Sequence, residues 1–75
     1  MPRFFFHLHT ETRDDTDLVG MEFRSLEAAV AEASLVRVEY MRDEGIEEDI
    51  PQRRCRFEIT DEHTRLVATV PAPDN

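Results

Sequence analysis

Two histidines are the side chains in this sequence best suited to binding or catalysis. His7 and His9 stand two positions apart in the stretch Arg3-Phe4-Phe5-Phe6-His7-Leu8-His9. In an extended strand, residues at that spacing point to the same face. Two imidazoles on one face can ligate one metal ion, with Glu58, His63 or a second chain completing the site. The same spacing is typical of a solvated sheet face, so metal binding at His7 and His9 is one of two open interpretations.

The rest of the chain offers no pattern that indicates an enzyme. Cys55 alternates with Phe57 and Ile59, which predicts a small buried residue rather than a nucleophile. The acidic stretch 14–22 does not combine a Gly at the sixth position with a Glu at the twelfth position, as a twelve-residue calcium loop requires. The chain holds only two glycines, too few for a phosphate-binding loop. We therefore predict a non-enzymatic protein without a cofactor.

Length and charge limit the partners of the chain. Its 75 residues predict one domain, with a frayed tail from about residue 71. A core of this size is small enough for self-association to be a useful supplement. The formal net charge of −8 disfavours nucleic acids and anionic membranes. The one local exception to this acidic character is the basic stretch 53–56.

Composition also predicts where the protein resides. The single cysteine excludes an internal disulfide and fits a reducing compartment. No segment is apolar over the roughly 18 residues that a membrane helix needs. The first residues do not have the composition of a secretory signal. These features together predict a cytoplasmic protein.

Hydrophobic periodicity predicts the elements that position the histidines. In the opening strand Phe4, Phe6 and Leu8 form one apolar face, and Phe5 lies on the other face with the histidines. A short second strand over 16–19 returns as a hairpin. A helix over 26–44 follows, with Ser25 as its N-cap and Gly45 after its end. Two further strands are predicted over 54–60 and 65–70, joined by a tight turn.

The helix has one core stripe and a second apolar stripe on the opposite side. The core stripe is Leu26, Ala29, Val30, Ala33, Val36 and Tyr40, with Met41 closing its end. The second stripe is Ala28, Ala31, Leu35 and Val38. This stripe is either a tolerated surface or a contact with another subunit.

The predicted order is β-β-α-β-β, which gives a two-layer α+β domain. One helix covers one face of a four-stranded, mostly antiparallel sheet. The inner face is predicted to hold Phe4, Phe6, Leu8, Cys55, Phe57, Ile59, Leu66, Ala68 and Val70. The outer face is predicted to hold Phe5, His7, His9, Arg54, Arg56, Glu58, Val67 and Thr69.

The uncovered sheet face and the second helix stripe lead to a hypothesis of self-association. Phe5 on the sheet and Leu35 with Val38 on the helix are candidate interface residues for a homodimer. Arg54 and Arg56 either pair with acidic neighbours on the sheet or dock an acidic protein partner. The favoured function is thus a small interaction or regulatory module, and a metal-binding protein is the alternative.

The chain resembles a family of small uncharacterised bacterial proteins that carry a domain of unknown function. The resemblance rests on the opening Met-Pro-Arg-Phe-Phe-Phe-His-Leu, on Leu26-Glu27-Ala28-Ala29 at the start of the helix, and on Arg56 to Asp61 with Val70-Pro71 near the end. It spans nearly the whole chain. It implies a shared fold and brings no catalytic residues.

Overall fold

A computed structural model describes residues 1–10, 13–43 and 55–71. Its elements are β1 (Arg3–Thr10), β2 (Asp14–Asp15), β3 (Met21–Glu22), α1 (Leu26–Asp43), β4 (Cys55–Thr60) and β5 (Leu66–Val70). The strands form one antiparallel sheet in the order β2-β1-β4-β5, and β3 also pairs with β1. The helix packs on one face of the sheet, which confirms the predicted two-layer α+β class.

Within the described residues the sheet has five strands rather than the predicted four, because the second strand is divided. The prediction of one strand over 16–19 is wrong. Instead β2 pairs at Leu8 and His9, and β3 pairs at Arg3 and Phe4. Residues 16–20 arch away from β1 between these two short pairings; we call them the arch. The reason for the division is local, because Asp17 turns its side chain back onto β1, as described below.

Helix α1 begins where the sequence predicts. The Ser25 hydroxyl oxygen accepts the backbone N–H of Ala28 at 3.1 Å, which satisfies one of the unpaired donors of the first turn. The core stripe faces the sheet, with Ala29, Ala33 and Met41 buried. The remaining members of that stripe are half-buried against the same core: Leu26, Val30, Val36 and Tyr40.

The core lies between α1 and the inner face of β1, β4 and β5. Ile59 and Cys55 of β4 are fully buried. Phe6 stacks on Phe23 with ring centroids 5.7 Å apart and meets Phe57 edge-on at 6.3 Å. Burial of one such ring contributes roughly 1.5–3 kcal/mol, so these aromatics are major anchors of a small core.

The β4–β5 hairpin turns on Asp61. The Asp61 Oδ1 atom accepts the backbone N–H groups of His63 and Arg65 at 2.8 and 3.0 Å. The hydrogen bond from the Arg65 backbone N–H lowers the pKa of the Asp61 carboxyl. Desolvation opposes this effect, and the hydrogen bond from the His63 backbone N–H adds to it. Thr64 completes the turn at a φ of 62°, a left-handed conformation that is unfavourable for a β-branched residue.

A register shift at the start of β5 corrects two predicted positions. Ile59 pairs with Ala68, but Thr60 pairs with Leu66, so Val67 is the extra residue of a bulge. Leu66 therefore leaves the core and is 58% exposed. Val67, predicted on the outer face, packs against the core instead.

Some predicted features lie outside the described residues. They are the helix end at Glu44 and Gly45, the first residue of the third predicted strand, Arg54, and residues 72–75 of the tail. Among the described helices, none combines the length and the apolar character needed to cross a bilayer.

Candidate functional site on the open face of the sheet

The sheet face opposite the helix carries a row of polar side chains that contact one another. We call it the open face. Residues on β1 and β4 alternate outward there, and the strands pair His7 with Glu58 and His9 with Arg56. All four of these side chains are partly buried. Both histidines thus share one face, as the sequence predicts.

His9 lies between two carboxylates. Its Nδ1 atom is 2.8 Å from Asp14 Oδ1 on β2, and its Nε2 atom is 2.9 Å from Glu58 Oε1 on β4. Glu58 also contacts Arg56, whose Nη2 atom is 3.5 Å from Oε2. Strands β2, β1 and β4 are therefore linked on the open face by one chain of charged and titratable groups.

His7 has a different pair of partners. The backbone N–H of Asp17 donates to its Nδ1 atom at 3.1 Å, so Nδ1 must be an acceptor. Nε2 then carries the proton and donates to the Thr60 hydroxyl oxygen at 2.9 Å. A general base for Thr60 would need a proton-free Nε2 atom. The backbone of the arch thus holds the ring in the tautomer that cannot activate Thr60.

Asp17 fixes the arch to β1. Its Oδ2 atom accepts the backbone N–H of Phe6, and its Oδ1 atom accepts those of Val19 and Gly20, each at 3.0 Å. Burial raises the pKa of this carboxyl, but the three donors and the nearby His7 outweigh it. The Asp17 pKa is therefore lower than its ordinary value.

Phe5 is less exposed than an uncovered sheet face suggests. Its ring is half-buried and lies directly under Gly20, whose φ is +74°. A Cβ atom at position 20 would stand 2.8 Å from Phe5 Cε2. Only glycine suits both the left-handed backbone and this close approach, so the arch covers one side of the ring.

The open side of Phe5 borders a pocket of about 390 Å³. We call it the Phe5 pocket. Its floor comes from β1 and β4, one wall from the arch and the other from the β4–β5 turn. The described lining residues are Phe5, His7 and Thr60 in the floor, Thr16, Asp17 and Leu18 in one wall, and Glu62 and Thr64 in the other.

The histidines stand on one face, but their ring nitrogens face other protein groups. Each nitrogen of both rings is within 3.1 Å of an atom of the chain. Within the described ranges, no three His, Cys, Asp or Glu side chains are grouped to hold a metal ion. Metal binding at His7 and His9 thus stays a prediction.

Cys55 is fully buried in the core, as predicted. Burial raises its pKa, and the neighbouring Arg37 only partly opposes this effect. The Arg37 Nε atom also donates to the Cys55 carbonyl oxygen at 2.7 Å and thereby links the helix to β4. The thiol is therefore in an environment that disfavours the reactive thiolate.

The predicted interface residues are dispersed over the molecule. Leu35 on the helix is 62% exposed, and Val38 is half-buried. Phe5 and Arg56 lie on the open face, Arg56 against Glu58. Arg54 is outside the described residues. These placements do not test whether any of them forms an interface.

Sequence reasoning missed an apolar edge beside β1. Leu18, Val19 and Met21 are 86%, 75% and 54% exposed; we call these three residues the apolar edge. It also missed Asp17, although an Asp followed by Gly at the third position is a signal for a side chain that binds its own following backbone. The predicted continuous strand over 16–19 gave no indication of either the apolar edge or the Asp17 contacts.

A protein-family model matches nearly the whole chain. Residues 3–73 match the family described as Domain of unknown function (DUF6894). The chain belongs to the DUF6894 family. No curated protein and no solved structure matches the chain significantly. The region that matches DUF6894 includes the helix, the five described strands and the open face. The family description assigns no activity to any of these elements.

Proposed function

We propose that this DUF6894 chain is a small non-enzymatic interaction or regulatory module that self-associates as a homodimer and binds a protein partner. The observation that carries the proposal is the apolar edge. Three large apolar side chains, each more than half exposed, stand within four consecutive positions. Exposed apolar groups of this kind are typical of a surface that a partner covers.

The contacts on the open face support a binding role over a catalytic one. His7 is held by the arch and Thr60, and His9 by two carboxylates. Among the described residues, no buried side-chain nitrogen or oxygen lacks a hydrogen-bond partner. These polar groups stabilise one another, and the apolar edge stands beside them.

A second copy of the chain is the partner that best fits this edge. The chain carries a net charge of −8, so two copies repel each other, and a contact made by uncharged groups avoids placing further like charges face to face. Val19 and Met21 provide such a contact, and Leu18 lines the pocket beside Phe5. A two-fold axis would place Val19 and Met21 of each copy against the same residues of the other copy.

Light scattering across a dilution series tests the proposal. Val19→Asp with Met21→Glu should convert a dimer to a monomer, because charges would then face each other across the axis. Leu35→Glu with Val38→Glu is the matched control, since it adds the same charge to the helix surface. If only the helix variant dissociates the dimer, the interface is the helix stripe instead. A wild-type monomer at all concentrations would refute self-association.

We propose a cytoplasmic location and a bacterial origin as part of the same account. The single cysteine supports a reducing compartment. Fractionation of cells that express the chain with a small tag checks the location. Recovery with the membrane or in the medium would contradict it.

Metal binding through His7 and His9 is the alternative function. The shared strand face of the two rings favours it, together with the carboxylates of Asp14 and Glu58 beside His9. A metal ion would have to replace hydrogen bonds that both rings make. Two measurements test whether the protein binds metal: the metal content of untagged protein, and its melting temperature as zinc is added. A stoichiometric metal that is lost in His7→Ala and His9→Ala would support this alternative.

A further inference from the structure

The Phe5 pocket combines an apolar surface, made by Phe5 and Leu18, with two acidic side chains. The floor includes the Phe5 ring, and Leu18 stands over it with 86% of its surface exposed. A ligand part that packs there must be largely apolar, since the ring and the leucine offer it only dispersion and hydrophobic contact.

The charge comes from Asp17 and Glu62 on opposite walls. Both Asp17 oxygens accept backbone N–H groups, which hold the carboxylate in place and keep it ionised. Glu62 accepts one bond, from the Arg3 backbone N–H to Oε1 at 3.0 Å. A carboxylate accepts about four hydrogen bonds, so Glu62 retains capacity for an incoming donor.

No Lys or Arg side chain among the described lining residues balances these two charges. The lining His7 accepts the Asp17 backbone N–H at Nδ1 and contacts the Thr60 hydroxyl through Nε2, so both ring nitrogens already have protein partners. Arg3 lies nearby, but its guanidinium donates to the Val19 carbonyl oxygen and does not line the pocket. The strongly acidic chain as a whole adds to the negative field.

We propose that the Phe5 pocket binds an arginine side chain from a basic segment of a partner protein. The methylene groups would pack on Phe5 and Leu18, and the guanidinium would donate to Glu62 between the two carboxylates. Arginine fits better than lysine because its planar head stacks on an aromatic face and binds a carboxylate through two donors. The pocket is distinct from the proposed dimer contact, because Phe5 and Glu62 lie outside the apolar edge and the dimer contact is made by Val19 and Met21 rather than by Leu18.

A protein side chain fits the shape of the pocket better than a free metabolite does. The volume of about 390 Å³ is near the lower end for small-molecule sites. Its walls are an exposed arch and an exposed turn, so an extended segment can pass over it and insert one side chain. Flanking basic residues of that segment would be attracted by the acidic surface.

The first experiment is a nuclear magnetic resonance titration of the full chain with n-butylguanidinium chloride. We expect millimolar affinity, with shifts concentrated at the amides of Leu18, Thr60, Glu62 and Thr64. N-butylacetamide is the neutral probe and should bind at least threefold more weakly. Equal affinity for the two probes would overturn the proposal.

Glu62→Gln is the decisive variant. It keeps the length of the side chain and an oxygen for the Arg3 N–H but removes the charge. We expect at least threefold weaker binding of butylguanidinium. Glu39→Gln, on the exposed surface of α1, makes the same change in net charge and should have no effect. Equal weakening in both variants would show a nonspecific field and refute the site.

The source of the cation is tested with two peptides. Acetyl-Ala-Arg-Ala-amide should shift the same amides as butylguanidinium, and its citrulline counterpart should not. If butylguanidinium binds but the arginine peptide does not, the partner-segment proposal is wrong. Light scattering of Glu62→Gln should give the wild-type mass, so failure here and failure of self-association are distinguishable.

Discussion

The two faces of β4 are held in place by different forces, although their residues alternate along one strand. Cys55, Phe57 and Ile59 are buried against the helix and neighbouring strands. Arg56, Glu58 and Thr60 are half-exposed and make directional contacts across the sheet. The inner face therefore depends on volume and burial, and the open face on the geometry of a few polar contacts. Binding of a partner to the open face therefore does not require a change in the packing of the inner face.

The largest expected effect comes from emptying the inner face. Ile59→Ala should lower the free energy of unfolding by about 2–5 kcal/mol, because it leaves a cavity at a fully buried position. Glu58→Gln, one residue away on the open face, should change it by less than about 1 kcal/mol. Urea denaturation measures both. Comparable losses in the two variants would contradict the difference between the faces.

Asp17 is expected to be the strongest single contributor outside the core. Asp17→Ala should cost about 2–3 kcal/mol, because three backbone N–H groups lose a charged acceptor. Ser34→Ala serves as a control, since that exposed hydroxyl makes one local bond within the helix. An Asp17→Ala protein as stable as the control would show that the arch is not fixed through this carboxylate.

The same carboxyl predicts a pH dependence with a definite sign. Because its pKa is lower in the folded chain than the ordinary value of 3.8, its stabilisation is complete above that value. It is lost as the pH falls through the folded pKa. Wild-type stability should drop below about pH 4, and Asp17→Asn should reduce the drop. Asp61, with its lowered pKa, accounts for part of what remains. Identical acid profiles would contradict this role.

Gly20 tests how tightly the arch covers Phe5. Gly20→Ala should cost about 1–3 kcal/mol, from the left-handed backbone and the contact of its Cβ atom with the ring. In a Phe5→Ala background the same substitution should cost less, because the ring is gone and only the backbone strain and the contact with Arg3 Cγ at 3.0 Å remain. An unchanged cost in that background would mean that the ring is not the obstacle.

The smallest expected effect is a gain. Thr64→Asn should raise stability by about 0.5–1 kcal/mol, because Asn tolerates the φ of 62° better than a β-branched residue. The side chain borders the Phe5 pocket, so the variant also shows whether the pocket wall changes ligand affinity. No gain in stability would mean that the turn compensates for the strain at this position.

Periodicity predicted most of the inner face, because burial repeats along strands and helices in a regular way. Phe4, Leu8, Ala29 and Ala33 are buried as expected, and the Ser25 cap is present. The exceptions follow from local backbone events. A bulge exchanges Leu66 and Val67, and bulges have no periodic signal.

The open face was harder to predict. Alternation placed His7 and His9 together, but it could not show that their partners are the Asp17 backbone, Asp14 and Glu58. Those contacts depend on how the arch folds back, which is a tertiary feature. The Phe5 pocket likewise forms from three separate segments, and the β4–β5 turn is far from the other two in the chain.

The most direct test of the central claim is the mass of the wild-type chain in solution, measured by light scattering from high to low micromolar concentration. The account predicts a dimer of twice the 8.8 kDa chain mass that dissociates on dilution and is abolished by Val19→Asp with Met21→Glu. A monomer throughout that range would contradict it.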